Sequence, residues 1–128
     1  MRRLVLLGGG HAHVHVLKAI GDALDPAVSV TLVTPTDRQI YSGMLPGYVA
    51  GFYPLEACAI DLEALARRAR AIVVRSSASL VNPSMREVIC ANGEVVGYDV
   101  LSVDVGSQAF TGNARGVLVA DQRAHARW

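Results

Sequence analysis

Cysteine is scarce in this chain and badly spaced for chemistry. Cys58 and Cys90 are its only two cysteines, and their wide separation fits neither a C-x-x-C redox pair nor a zinc-ligand pattern. Buried free thiols are the expectation. Long apolar runs are missing too. The longest near the N-terminus, Leu4 to Leu7, is too short for a signal-peptide core or a membrane span, so a cytoplasmic protein is expected. Neither sign of charge dominates: the formal net charge is +1, which gives no reason to expect nucleic acid or an acidic partner. Arg67, Arg68 and Arg70 cluster, but the end of a helix accounts for them. Low-complexity tracts and internal repeats are absent.

What is present is apolar and glycine-punctuated. At 128 residues and 52% hydrophobic, the chain can bury one real core. Leu4-Val5-Leu6-Leu7 runs straight into Gly8-Gly9-Gly10, followed by His11-Ala12-His13. That order predicts a buried strand, a turn without side chains and the first turn of a helix. Such a turn directs unpaired backbone amides and the positive end of a helix dipole at one point, a geometry suited to a diphosphate. A Cβ there would hold phosphates away from the backbone.

The surrounding pattern supports an α/β organisation. A helix is predicted over 11–24, with Val14, Leu17, Ile20, Ala23 and Leu24 on its apolar side and Asp25-Pro26 ending it. Val28 to Val33 reads as a second strand, completing a βαβ unit. Residues 34–58 form a long connection holding Tyr41, Met44, Tyr48, Phe52 and Tyr53. It has too much apolar surface for disorder and is expected to fold over something. Asp61 is a candidate N-cap for a helix bearing Leu62, Leu65, Ala66 and Ala69 on one face. Ala71 to Val74 reads as a third strand. Short strands follow at 79–81, 86–90 and 94–96. Asn92-Gly93 predicts a two-residue type I′ hairpin with both residues at positive φ. Val100 to Val105 is a last buried strand, and 111–128 reads as a polar linker.

Two features of the turn depart from the dinucleotide fingerprint. Gly8 and Gly10 meet two of its three glycine positions, and His13 holds the third. At the end of the second strand Thr34 stands where an acidic residue usually grips a ribose, with Asp37 three residues later. His11 and His15 would share a helical face, but no acidic or thiol partner lies nearby in sequence, so no metal site is expected.

With its glycine turn, glycine-aromatic connection, hairpin and terminal Gly106-Ser107 in this order, the chain resembles the FAD-binding half of the pyridine nucleotide-disulfide oxidoreductases. More narrowly it resembles the branch of type II NADH dehydrogenases and sulfide:quinone reductases. The runs Gly8–Val14 and Tyr41–Gly51 are especially similar to the flavoprotein module fused to selenide, water dikinase in some bacteria. The resemblance spans about residues 1–110 and implies a Rossmann-like FAD/NAD(P)-binding fold: a parallel sheet with helices, plus a small antiparallel β-meander. It implies FAD as cofactor and NAD(P)H as co-substrate.

Carried over by position, Gly8, Gly10, His11 and Ala12 match the segment that cradles the pyrophosphate. Thr34 matches the ribose position. Ser42, Gly43, Met44, Leu45 and Pro46 match the loop running toward the flavin, and Ala78 matches the strand position that meets the adenine. Gly106 matches the glycine of the Ala-Thr-Gly segment, where Asp104 and Val105 replace the usual small residues. The family's redox cysteine pair is missing, which disfavours disulfide reduction and leaves hydride or electron transfer through flavin.

No residue stands out as a catalytic acid, base or nucleophile. The family places an NAD(P)-binding domain after the Gly-Ser turn, at the point where this sequence reaches Trp128. The resemblance therefore implies the FAD-binding part of an NAD(P)H-dependent flavoprotein oxidoreductase that passes electrons to a quinone or another acceptor. On its own the part is expected to be inactive, and its uncovered sheet edge is expected to invite a second copy. Two alternatives stay open: a non-enzymatic adenine-nucleotide-binding or regulatory module, and an interaction domain with a purely structural turn.

Overall fold

A computed structural model describes residues 1–106. The expected linker at 111–128, Ser107 and the end of the 1–110 domain lie outside the described residues. Strand β1 (Arg2–Leu7) lies between two parallel neighbours, β2 (Val28–Val33) on one side and β9 (Val100–Val103) on the other. Strand β5 (Ile72–Val74) extends the sheet beyond β2, giving the order β5-β2-β1-β9. The alternation in β1 explains its central place. Val5 and Leu7 face one core cluster and Leu6 the other, and all three are buried. A strand covered on both sides needs apolar residues at every position.

One face of the sheet is covered by helices α1 (His11–Asp22) and α3 (Leu62–Arg68), through Leu17, Leu62 and Ala66. Asp61 caps α3 as its sequence position predicts, its carboxylate accepting a hydrogen bond from Ala64 N at 2.9 Å. The arginines near its end are exposed, and Arg68 pairs with Asp22 at the foot of α1. The opposite face rests on an antiparallel sheet of β6 (Ala78–Asn82), β7 (Glu87–Cys90) and β8 (Val95–Gly97). Val88, Cys90 and Tyr98 pack there against Val5, Leu7, Val33 and Val74. Cys58 and Cys90 are both free and buried, and burial raises the Cys90 thiol above its ordinary pKa, helped by Glu94.

Four local expectations are corrected. Helix α1 stops at Asp22, and Leu24 is exposed rather than on the apolar side; Ala23 leaves helical geometry, with its N–H still closing on Ala19 and Ile20. The 34–58 connection holds structure of its own. It contains β3 (Arg38–Ile40), a 3₁₀ turn at Ser42–Met44, the short helix α2 (Leu45–Val49), a 3₁₀ turn at Leu55–Cys58 and β4 (Ala59–Asp61) paired back on β3. The hairpin at Asn92-Gly93 is not type I′. Only Gly93 has positive φ (+87°), its N–H closes on Cys90 O at 3.0 Å, and Cys90 N–H reaches Glu94 O at 2.8 Å. This is a three-residue connection ending in a left-handed glycine, the next commonest hairpin geometry. The last strand ends at Val103 instead of Val105.

Candidate functional site

The carboxyl ends of β1, β2 and β9 meet at the glycine turn, the place where open α/β sheets present ligand crevices. Gly8 is left-handed, φ +94°, and a Cβ there would strike the backbone of Asp104 and Val105. Gly9 faces Leu62, the first residue of α3, and Gly10 lies flat against the Asp104 carboxylate. Three glycines are therefore demanded first by the protein's own close approaches. Gly10 N–H donates to Asp104 O at 3.0 Å, and Asp104 N–H donates to Leu7 O at 2.8 Å, so the turn and the end of β9 are laced together.

His13 shows why the third fingerprint glycine can be replaced. The side chain is buried, 1% exposed, between the turn and β9. Its Nδ1 lies 2.7 Å from Gly8 O and its Nε2 2.9 Å from Ser102 Oγ. A carbonyl only accepts, so Nδ1 carries a proton and donates to Gly8 O, while Nε2 shares a hydrogen bond with the Ser102 hydroxyl. The imidazole is a strut that fills, with satisfied hydrogen bonds, the space closed elsewhere by direct helix–strand contact. Sequence reasoning left His13 without this role. The sign was available: a histidine on the core-facing side of the first helical turn needs two polar partners, and Ser102 lies in an otherwise apolar strand.

The start of α1 has a divided character. His13 N–H donates to Asp104 Oδ2 at 3.2 Å. No described residue accepts from the N–H groups of His11 and Ala12, and both residues are exposed. These two amides follow a side-chain-free turn at the positive end of a twelve-residue helix, and they fit an anionic oxygen pair such as that of a diphosphate. The His11 ring meets Tyr41 edge to face, with centroids 5.4 Å apart, which brings the start of the Ser42–Pro46 loop beside the turn. His11 and His15 are both exposed. Among the described residues no cluster of three or more histidine, cysteine or acidic groups could hold a metal.

The remaining sequence-selected positions are placed as follows. Thr34 directly follows β2 and is buried, its hydroxyl donating to Thr36 O at 3.2 Å and accepting from Thr36 N–H at 3.3 Å. Ser42 and Gly43 form the exposed 3₁₀ turn with Met44, and Leu45 and Pro46 begin α2. Tyr53 ties this segment down, its hydroxyl donating to Met44 O at 2.7 Å while its ring covers Gly47. Ala78 opens β6 and packs in the core under the parallel sheet. Gly106 is left-handed, φ +70°, with open space where a Cβ would stand. The structure thus gathers Gly8, Gly10, His11, Ala12 and the 41–46 loop near one point, while Thr34 and Ala78 are packed inward.

The geometry has close counterparts among solved structures. The sulfide:quinone oxidoreductase of the hyperthermophilic bacterium Aquifex aeolicus superposes with a TM-score of 0.72 at 20% identity, over 88% of this chain and 26% of that one. An NAD-dependent persulfide reductase from A. fulgidus gives 0.76 at 19% identity, over 94% and 26%. The water-forming NADH oxidase from Lactobacillus brevis, bound to NADH, gives 0.71 at 18% identity, over 88% and 27%. The chain has their fold. It spans about a quarter of the length of each of these proteins. No family model and no curated protein matches the sequence. Among the described residues, no helix is long and apolar enough to cross a membrane.

Proposed function

We propose that this chain is the N-terminal FAD-binding part of an NAD(P)H-dependent flavoprotein oxidoreductase of the pyridine nucleotide-disulfide oxidoreductase family. The observation that carries the reading is the glycine turn itself: the amides of two exposed residues, His11 and Ala12, have no acceptor among the described residues and follow the end of a central parallel strand. The fold shared with a quinone reductase, a persulfide reductase and an NADH oxidase agrees with it.

Each part of the chain has a binding or orienting role in this reading. The His11 and Ala12 amides hold the pyrophosphate, with Gly8 and Gly10 allowing the turn. Thr34 marks the strand end beside the ribose and Ala78 the strand near the adenine. Ser42, Gly43, Met44, Leu45 and Pro46 run along the cofactor toward its reactive end, and Gly106 closes the far side. FAD, when bound, supplies two-electron transfer from a nicotinamide to an acceptor such as a quinone. Residues of this chain bind and orient, and none transfers a proton.

The isolated chain binds FAD weakly and does not oxidise NADH. A cytoplasmic location belongs to the same reading, supported by the two free buried thiols Cys58 and Cys90. So does self-association through β9, an edge strand whose Val100 and Val103 are exposed.

Titrating FAD with the purified chain and following flavin fluorescence tests the reading. Saturable quenching in the micromolar range supports it, and no quenching at high micromolar protein rejects it. Tighter binding of ADP than of FAD would instead mark a nucleotide-binding module without redox work.

A further inference from the structure

The carboxylate of Asp104 stands where an anionic ligand would be drawn. Its Oδ2 takes the His13 amide at 3.2 Å, and its carboxyl group lies against Gly10 so closely that no Cβ fits between them. The main chain of Asp104 is fixed at both ends, by Asp104 N–H to Leu7 O at 2.8 Å and by Gly10 N–H to Asp104 O at 3.0 Å. The side chain is only partly buried and forms no ion pair among the described residues. The carboxylate thus stands without a compensating cation among the described residues, on a backbone anchored at both ends. A carboxylate at a helix N-terminus is favourable for the same reason a phosphate is. It also opposes a second anion arriving beside it.

We propose that Asp104 is a built-in competitor for the anion site at the start of α1. A diphosphate gains the third first-turn amide, that of His13, only when the Asp104 carboxylate swings off it. This inference rests on the reading of the turn as a diphosphate cradle, and adds that the chain sets its own affinity there. Asp104 is a positioning residue in this scheme: it stabilises the unliganded helix start and weakens binding of multiply charged ligands.

The full chain, Asp104→Asn and Asp104→Ala are titrated with inorganic pyrophosphate by calorimetry and with FAD by fluorescence, at low ionic strength. Both variants are expected to bind both probes about tenfold more tightly, the effect of one removed charge at a helix terminus. Their thermal midpoints are expected to fall slightly, because a cap is lost. A purely structural Asp104 would lower the midpoint with no gain in affinity, and unchanged or weaker binding by folded variants overturns the proposal. If the wild-type chain binds and the variants bind no better, only the competitor role fails. If no form binds either probe, the diphosphate cradle fails and this inference with it. In the wild-type chain, independent of any variant, the Asp104 carboxyl carbon resonance is expected to move as pyrophosphate saturates. A resonance that stays fixed at saturation also overturns the proposal.

Discussion

The glycine turn and the 34–58 connection meet where the His11 and Tyr41 rings touch, yet they are built on opposite principles. At the turn almost every polar group is already used: Gly10 N–H, Gly8 O, both His13 nitrogens and the Asp104 carboxylate have partners within the protein. Two amides are left over. Along the connection the reverse holds, with Tyr41, Val49 and Phe52 exposed, Phe52 at 80%. The first region closes most of its hydrogen bonds on itself, the His13–Asp104 bond included. The second carries apolar surface that only an additional partner or ligand would cover. A hydrogen-bonded turn beside an apolar, uncovered connection is the division of labour the proposed function calls for, with a charged group to be positioned and a large apolar body to be covered.

The sharpest way to break this contrast is at Gly8. Gly8→Val forces a branched side chain into positive φ and into the backbone of Asp104 and Val105. A loss of about 3 kcal/mol or more is expected, read as a collapse of the urea midpoint. Next comes His13→Ala, which removes a buried ring and strands Gly8 O and Ser102 Oγ; a cost of about 2–4 kcal/mol is expected. His13→Gly would complete the fingerprint by sequence and still destabilise, since the turn here depends on the strut.

In the connection, Tyr53→Phe removes one hydrogen bond to Met44 O. It is expected to cost about 1 kcal/mol and to quicken amide exchange between Ser42 and Val49 while leaving the turn protected. Phe52→Ser, at an exposed position, is expected to change stability by under about 0.5 kcal/mol and to reduce self-association or FAD quenching if that face is used.

A smaller effect is set by pH. The Arg3 guanidinium and its backbone amide hold the Asp99 carboxyl down at about 2. A depressed carboxyl contributes stability above its unfolded pKa and loses it as pH falls through the folded value. The wild-type chain should lose this contribution between about pH 4 and pH 2, and Asp99→Asn should flatten that part of an acid-unfolding curve.

The larger elements were legible in the sequence because their signals are physical and local. Continuous apolar residues in Leu4–Leu7 mark a strand covered on both faces, Asp61 announces a helix start, and β-branched residues fill Val28–Val33. The hairpin was legible as a hairpin but not by type, since Asn92-Gly93 suits either a two-residue turn or the end of a three-residue one. Only the register of Cys90 with Glu94 decides. At the site, the glycines were readable and their neighbours were not. Asp104 lies ninety-four residues from Gly10, and nothing in either segment indicates that the two touch. Thr34 stands out in the sequence by its place at a strand end, and its hydroxyl is engaged by Thr36 through a bond that composition does not reveal.

The pairing of β3 with β4, reinforced by Leu62 N–H on Asp37 O at 2.9 Å, clasps the base of the 41–58 segment. The chain departs from the sheet and returns to helix α3 through one narrow neck. Beyond that neck the segment meets the start of α1 at the edge-to-face contact of Tyr41 with His11, and side chains farther along it can be exchanged without rebuilding the clasp. The clasped segment is thus one cassette, rewritable in sequence while the sheet behind it keeps its packing.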